Sequence, residues 1–235
     1  MSGEGLYSPR ATARRLGEFA IMSREMATPG DLHRTLALLS AGARQAFLCD
    51  AVGIMLVLAG QVVTVAATGP DVSRADELQT ECGQGPCLEA IQRKQDFIVD
   101  DLRTDPRWPV WGAQAAELGW RSILSVGLVG GDKALGALNM YSRQTAYFTT
   151  EDLGLGEVFS AQASVALAGA QERDGLVKAV EARHVIGLAQ GILMERYSLD
   201  AQQAFTVLRR YSSHQNRKLR LVAEDVVQQR KLPGG

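Results

Sequence analysis

The spacing of hydrophobic positions divides the chain into a mixed α/β part and an all-helical part. Apolar residues at helical spacing predict one helix over residues 10–27 and a second that begins at Asp31. After this second helix the spacing of hydrophobic residues changes from the helical period to the two-residue period of strands. The β-rich runs at residues 51–58 and 62–68 are joined by Gly60-Gln61, which predicts a hairpin.

The middle of the chain predicts a second hairpin after an irregular segment. Residues 100–111 are loop-like, because two prolines disfavour helix at the preceding residues. Apolar strands are predicted at residues 122–129 and 135–141, and a short strand at 97–99. Short helices are predicted near residues 73–79, 88–92 and 114–118. These elements predict an α+β fold, an antiparallel sheet with helices on one face.

From Thr149 onward the pattern is helical. Thr149 and Asp152 have the spacing of a capping box, and no proline interrupts residues 151–196. Gly154, Gly156, Gly169 and Gly175 weaken the helix and predict one break. A seven-residue apolar spacing predicts a coiled-coil pairing of two subunits, and it comprises Val158, Val165, Ala179, Ile186 and Leu193.

Two shorter helices follow the long one, and in the first of them Ala201, Ala204, Phe205, Leu208 and Tyr211 share an apolar face. Ser198 and Asn216 are predicted to cap their N-termini, and residues 183–196 complete a three-helix unit with a small core. From Arg183 to the end, nine Lys or Arg oppose four Asp or Glu, a net charge of +5, whereas the rest of the chain carries −6. A basic tail on an acidic body is typical of nucleic-acid binding. Basic helix faces that are merely solvated remain the alternative explanation.

The composition of the chain indicates the cellular compartment in which the protein is expected. The chain is 46% hydrophobic and 22% charged, as is usual for soluble proteins, and no stretch approaches the ~20 uninterrupted apolar residues of a membrane span. The first residues lack the apolar core of a signal peptide, and three cysteines are an odd number for a disulfide framework. We therefore expect a cytoplasmic protein without a membrane partner.

The tail resembles the ANTAR domain, an RNA-binding module of bacterial transcription antitermination regulators. The resemblance covers about residues 179–230 and rests on Arg183, Ile186, Ala189-Gln190-Gly191, Leu193-Met194, Ala204-Phe205, Leu208-Arg209, Asn216-Arg217-Lys218-Leu219 and Val222-Ala223. The family usually has Lys at the position of Gln190. A DNA-binding helix-turn-helix is disfavoured, because no tight glycine-containing turn precedes a recognition helix.

The resemblance implies that hairpins in nascent mRNA leaders are the partner. Arginine can stack on a splayed base and grip phosphate with two hydrogen bonds, as the recognition of single-stranded loops requires. The residues expected to bind RNA are Arg183, Gln190, Arg209, Arg210, Asn216, Arg217, Lys218 and Arg220.

Residues 31–170 resemble a GAF domain, a small-molecule-sensing fold of bacterial signalling. The resemblance rests on residues 83–87, 100–108 and 135–141, and the whole chain resembles the actinobacterial GAF–ANTAR architecture. The signature of cyclic-nucleotide GAF domains and the motifs around a bilin-attaching cysteine are absent, so the resemblance implies an unidentified small-molecule ligand. The candidate pocket residues are Cys82, Cys87, Asp101, Trp108, Trp111 and Tyr141.

No catalytic or metal-binding constellation is recognisable, so we expect a regulator and not an enzyme, with no definite cofactor. Buried, inert thiols are favoured for Cys82 and Cys87 over a redox or metal site. The predicted organisation is an N-terminal helical segment (1–30), a GAF domain (31–170), a connecting helix (151–182) and an all-α ANTAR domain (171–235). A GAF-based dimeric partner-binding scaffold without RNA activity is the main alternative, and a redox- or metal-responsive enzyme is a more distant one.

Overall fold

The computed structural model describes residues 15, 17, 20–25 and 31–232. The chain forms two compact units, Met1–Gln171 and Glu172–Gly235. Of the helix predicted over residues 10–27, the described positions are helical and the others lie outside the described residues.

The elements after residue 31 follow the predicted order closely. The helices are α1 (Leu32–Phe47), α2 (Pro70–Cys82), α3 (Pro86–Arg93), α4 (Pro109–Glu117), α5 (Thr150–Tyr197), α6 (Ala201–His214) and α7 (Leu219–Gln229). The strands are β1 (Ala51–Leu58), β2 (Gln61–Ala67), β3 (Phe97–Val99), β4 (Ser122–Gly130) and β5 (Lys133–Ser142).

The five strands form one antiparallel sheet in the order β2-β1-β5-β4-β3. Both predicted hairpins are present, and Ala59 and Gly60 both have positive φ in the first turn, as the right-handed twist of a two-residue hairpin favours. Helix α4 begins at Pro109, inside the segment predicted as loop. A proline suits the first turn of a helix, where its missing N–H has no partner to lose.

Helices cover both faces of the sheet, and the prediction of helices on one face was wrong. One face packs against α1 and the first half of α5, and the other against α2, α3 and α4. Strands β1 and β4 are therefore buried on both sides, which explains their continuous apolar runs.

Helix α5 runs from Thr150 to Tyr197, and the break predicted from Gly154, Gly156, Gly169 and Gly175 does not occur. Thr149 donates its backbone N–H, at 2.9 Å, and its hydroxyl, at 3.1 Å, to Asp152 Oδ2. The first of these bonds is one of the two that a capping box comprises. By length and composition alone this helix could cross a membrane, with a mean hydropathy of 1.2 over its most apolar window. In the first unit its residues Phe159, Ala163 and Leu167 belong to the buried core.

Candidate nucleic-acid interface and sensory core

The second unit is a three-helix domain built around a small core. The end of α5, α6 and α7 contribute the seven buried apolar residues Ala189, Leu193, Ala204, Leu208, Val222, Ala223 and Val226. Leu193, predicted to lie in the subunit seam, is fully buried here, and Ile186 packs against the same core. Leu193 therefore belongs to the domain interior, and Ile186 lies half-buried at its edge.

The helix caps differ from the prediction. Asp200, not Ser198, caps α6. Its side chain accepts from Gln203 N at 2.7 Å while Gln203 Oε1 accepts from Asp200 N at 3.0 Å. Lys218 is the N-cap residue of α7, and Asn216 has φ 50° in the turn before it. Asn216 is exposed, so its side chain faces solvent beside the basic residues.

The predicted RNA-binding cations fall into two groups. Arg217 donates to Asp225 at 2.6 Å, and Arg220 donates to Glu224 at 2.8 Å and lies 3.9 Å from Glu181. The hydrogen bond from Arg220 to Glu224 raises the pKa of this arginine. These two side chains must exchange an acidic partner for a phosphate in order to bind RNA.

The other four cations are exposed and make no ion pair within the described part of the chain. They are Arg183, Arg209, Arg210 and Lys218. Arg209 and Arg210 lie near the end of α6 and Lys218 follows in the connection to α7. Glu181, two residues before Arg183, approaches Arg220, so α5 reaches the same region. These four cations therefore lie at the end of the three-helix domain where α6 ends and α7 begins. Arg196 and Arg230, which also make no ion pair among the described residues, lie at the other end.

Gln190 does not join this cluster. Its Nε2 donates to the carbonyl of Ala201 at 3.0 Å, at the opposite end of α6 from Arg209. Eight residues of helix separate Ala201 from Arg209, or about 12 Å. Gln190 thus ties α5 to the start of α6.

Phe205 was predicted to share the apolar face of α6 with Ala204 and Leu208, which are buried. Its own side chain is instead 38% exposed. It lies four residues before Arg209, hence on the same helix face. An exposed aromatic ring beside an unpaired arginine suits base stacking. Tyr211, by contrast, packs against the core.

The candidate pocket residues of the first unit lie mainly in its interior. Trp111 and Tyr141 are fully buried, Trp108 is nearly so, and all three share one apolar cluster. Half-buried Cys82 packs against it and lies 3.7 Å from Gln114 Oε1. Asp101 lies apart, in a loop, and pairs with Arg121 at 3.3 Å.

Cys87 belongs to a neighbouring buried group on the same face of the sheet. Its thiol lies 3.3 Å from the sulfur of Met55, and its backbone N–H donates to Gln79 at 2.8 Å. Burial raises the pKa of the Cys87 thiol well above its usual value. Burial likewise raises the pKa of the Cys49 thiol to about 12. Thiolate chemistry is disfavoured at both positions. Within the described residues no three His, Cys, Asp or Glu side chains are placed to hold a metal ion.

A buried carboxyl group, Asp76, was missed by the sequence reasoning. It lies on α2 and is inaccessible to solvent. Its Oδ1 accepts from Asn139 at 2.8 Å and from the Tyr141 hydroxyl at 2.7 Å, whereas Oδ2 is buried without a partner. Burial raises the pKa of Asp76 to about 7, against the lowering effect of these two donors. The signal available in the sequence was Asn139 inside an otherwise apolar strand.

Two family models match the chain. A GAF domain model matches residues 30–168, more than half of the chain, and an ANTAR domain model matches residues 174–227. This chain is a GAF–ANTAR protein. The GAF match contains all six candidate pocket residues of the GAF–ANTAR protein, and the ANTAR match contains all eight candidate RNA-binding residues. A sensor domain followed by an RNA-binding domain is the organisation of a signal-responsive regulator.

Solved structures similar to the GAF–ANTAR protein support the fold of its first unit. The free methionine-R-sulfoxide reductase of Neisseria meningitidis, in complex with its substrate, has a TM-score of 0.56 at 20% identity, over 74% of this chain and 99% of that one. The GAF domain of a phosphoenolpyruvate-protein phosphotransferase from Coxiella burnetii has a TM-score of 0.56 at 16% identity, over 70% and 98%. At these identities the likeness concerns the fold alone. No curated protein matches the sequence.

Proposed function

We propose that this GAF–ANTAR protein is a cytoplasmic, non-enzymatic regulator that binds hairpin loops in nascent mRNA and favours antitermination. The observation that carries the proposal is a set of four exposed cations at one end of the ANTAR domain, Arg183, Arg209, Arg210 and Lys218, which have no acidic partner among the residues that the structure describes. The GAF domain supplies the signal dependence.

The chemistry of this surface suits a single-stranded loop. Arg209 and Arg210 can bind phosphate with two parallel hydrogen bonds or stack on a base, whereas Lys218 acts as a point charge. Phe205, one turn from Arg209, adds an aromatic face for an unstacked base. A duplex would offer no such base, because its bases are stacked.

We further propose that the protein acts as a homodimer joined along α5. Large apolar side chains on this helix are exposed, namely Val158 (52%), Val165 (74%), Leu176 (62%) and Val180 (67%). Val165 and Leu176 are eleven residues apart, and Gly187 lies another eleven further on. Val158, Gly169, Val180 and Gly191 follow the same spacing.

This eleven-residue repeat replaces the seven-residue one expected from the sequence. It corresponds to about 3.67 residues per turn, close to the 3.6 of an α-helix, so positions eleven residues apart recur on nearly the same helix face. A Cβ added at Gly169, Gly187 or Gly191 would meet no atom within 4 Å. A second copy of α5 can therefore approach closely at these positions.

RNA binding is tested with the full-length protein and a pool of RNA hairpins with randomised loops. Filter binding should enrich particular loops, and Arg209→Ala with Lys218→Ala should weaken their binding at least tenfold. Lys133→Ala serves as the control, because it removes an exposed cation from the GAF domain. Absence of enrichment, or an equal effect of the control, would favour the scaffold without RNA activity.

A further inference from the structure

A groove at one edge of the GAF sheet has the features of a binding site. It has a volume of about 570 Å³, within the range of small-molecule sites. Strand β4, the loop before β3 and the first turns of α5 form its walls. It lies away from the buried tryptophans and Tyr141, which occupy the sheet face covered by α2, α3 and α4.

The groove exists because β3 is short. Strand β3 pairs only with Ile123–Ser125 of β4, so the remainder of that β4 edge has no neighbouring strand. Along this open edge of β4, side-chain oxygens accept hydrogen bonds from two backbone N–H groups instead. Gly127 donates to Asp96 Oδ1 and Val129 donates to Ser164 Oγ, each at 2.9 Å. The N–H and C=O of a strand residue point to the same side, so the Gly127 carbonyl also faces this open edge.

The polar groups left in the groove are mainly acceptors. The acceptors are the second carboxylate oxygen of Asp96, the carboxylate of Glu157 on α5 and the Gly127 carbonyl. The amide of Gln95 and the hydroxyls of Ser160 and Ser164 also line the groove. Lys94 is the cation of the lining, and its Nζ already donates to the carbonyl of Asp132 at 2.6 Å. A ligand that satisfies these acceptors must therefore bring hydrogen-bond donors.

The two carboxylates of the groove also have no ion-pair partner among the described residues. Asp96 is half-buried. Burial and the nearby Glu157 raise the pKa of Asp96, whereas the hydrogen bond from Gly127 lowers it. A bound cation would offset both the cost of burying the Asp96 charge and the repulsion between Asp96 and Glu157.

We propose that this groove binds a small organic cation, with a primary ammonium or guanidinium group held by Asp96, Glu157 and the Gly127 carbonyl. Leu153 and Ala161 line the same groove and suit a short aliphatic chain. A ligand in this groove would contact the edge of the sheet on one side and α5 on the other. Helix α5 continues into the ANTAR domain.

The probe for the test is 1,5-diaminopentane, titrated into the full-length protein by calorimetry and by amide chemical shifts. Binding should saturate and should shift the Gly127 amide, which reports on its bond to Asp96. Asp96→Asn should weaken binding about tenfold or more, because a hydrogen bond to a charged group is lost while Asn can still accept from Gly127. Glu157→Gln should act in the same direction.

The control variant is Glu151→Gln, an exposed acid on α5 outside the groove, which should leave binding unchanged. Pentanoate, a similar chain of opposite charge, should not bind. The proposal is overturned if the diamine does not bind at millimolar concentration, if pentanoate binds equally well, or if Asp96→Asn has no effect. Displacement of the diamine by Mg²⁺ at lower concentration would make the groove a metal site instead. None of these outcomes depends on RNA binding.

Discussion

The Tyr141 hydroxyl donates a 2.7 Å hydrogen bond to Asp76, and both side chains are shut off from solvent. The same oxygen accepts from Asn139, and the other carboxylate oxygen has no partner. Placing the carboxyl proton on this second oxygen avoids an uncompensated charge inside the GAF domain.

Asp76 makes the stability of the GAF domain dependent on pH. Its pKa is about 7 in the folded protein against 3.8 for the free side chain, so the folded state holds one more proton between these values. The free energy of unfolding should therefore decrease as the pH rises from about 4 to 7, by about 4 kcal/mol in total if the whole shift acts. Asp76→Asn should remove this decrease.

Urea unfolding between pH 5 and pH 8 measures the effect. Tryptophan fluorescence is a specific probe of the GAF domain, because all three tryptophans, Trp108, Trp111 and Trp120, lie within it. An identical pH dependence in the Asn variant would mean that Asp76 is ionised throughout.

A second buried contact joins the N-terminal segment to α5. Arg15 donates to the carbonyl of Ala46 and forms an ion pair with Asp152, and both charged side chains are less than 10% exposed. Asp152→Asn leaves a buried guanidinium without its counter-ion. It should lower the free energy of unfolding by about 3 kcal/mol.

The matched control is Asp174→Asn. Asp174 pairs with Lys178 at 3.7 Å on an exposed stretch of α5, so its loss should change the stability by less than about 1 kcal/mol. Equal losses in the two variants would show that the contact with Arg15 contributes nothing particular.

The order of elements was predictable because it depends on local periodicity. Both hairpins, β3 and the helical tail follow directly from the spacing of apolar residues and from turn glycines. The two-sided burial of the sheet was indicated by the unbroken apolar runs of β1 and β4 but needed the tertiary arrangement to be assigned.

The site residues were less predictable because they depend on partners distant in sequence. Asp76 meets Tyr141 across 65 residues, and nothing near Asp76 marks it as buried. Likewise, Arg217 is paired with Asp225 whereas Arg209 has no ion pair in the described residues, and nothing in the sequence distinguishes these two arginines. Phe205 was predicted to share the apolar face of α6, but its side chain is exposed. An apolar stripe is wider than one line of residues along a helix, and the small core of this domain covers only the part of the stripe that contains Ala204 and Leu208.

RNA binding should depend on salt through the unpaired cations. Each phosphate contact with a single-stranded loop contributes about −0.7 to the slope of log affinity against log salt. Arg209→Ala with Lys218→Ala should therefore flatten the slope by about 1.4. Arg217→Ala should flatten it less, since this side chain is bound to Asp225. The reverse order would place the phosphate contacts on the paired arginines.

Phe205 should affect affinity without affecting this slope. Phe205→Ala removes a stacking surface but no charge, so binding should weaken by about 1–3 kcal/mol at every salt concentration. Phe205→Tyr keeps the ring and should retain most of the affinity. If the Tyr and Ala variants bind alike, and circular dichroism shows both folded, stacking on this ring is excluded.

The dimer should dissociate when charge is placed on the exposed stripe of α5. Val165→Asp with Leu176→Asp should yield a folded monomer in sedimentation, because both side chains are largely exposed in the single chain. Leu193→Asp should instead unfold the ANTAR domain, as Leu193 lies in its core. A wild-type protein that is monomeric at tens of micromolar would contradict the proposed assembly.

The absence of a side chain at position 53 has a consequence for the evolution of the GAF domain. A Cβ on Gly53 would lie 2.0 Å from Asp76 Oδ2, so neither residue can change freely while the other stays. In related sequences the two positions should vary together. A carboxyl group at position 76 should accompany glycine at 53, and any larger residue at 53 should accompany a small one at 76. An alignment of GAF–ANTAR proteins would thus carry a record of this single contact.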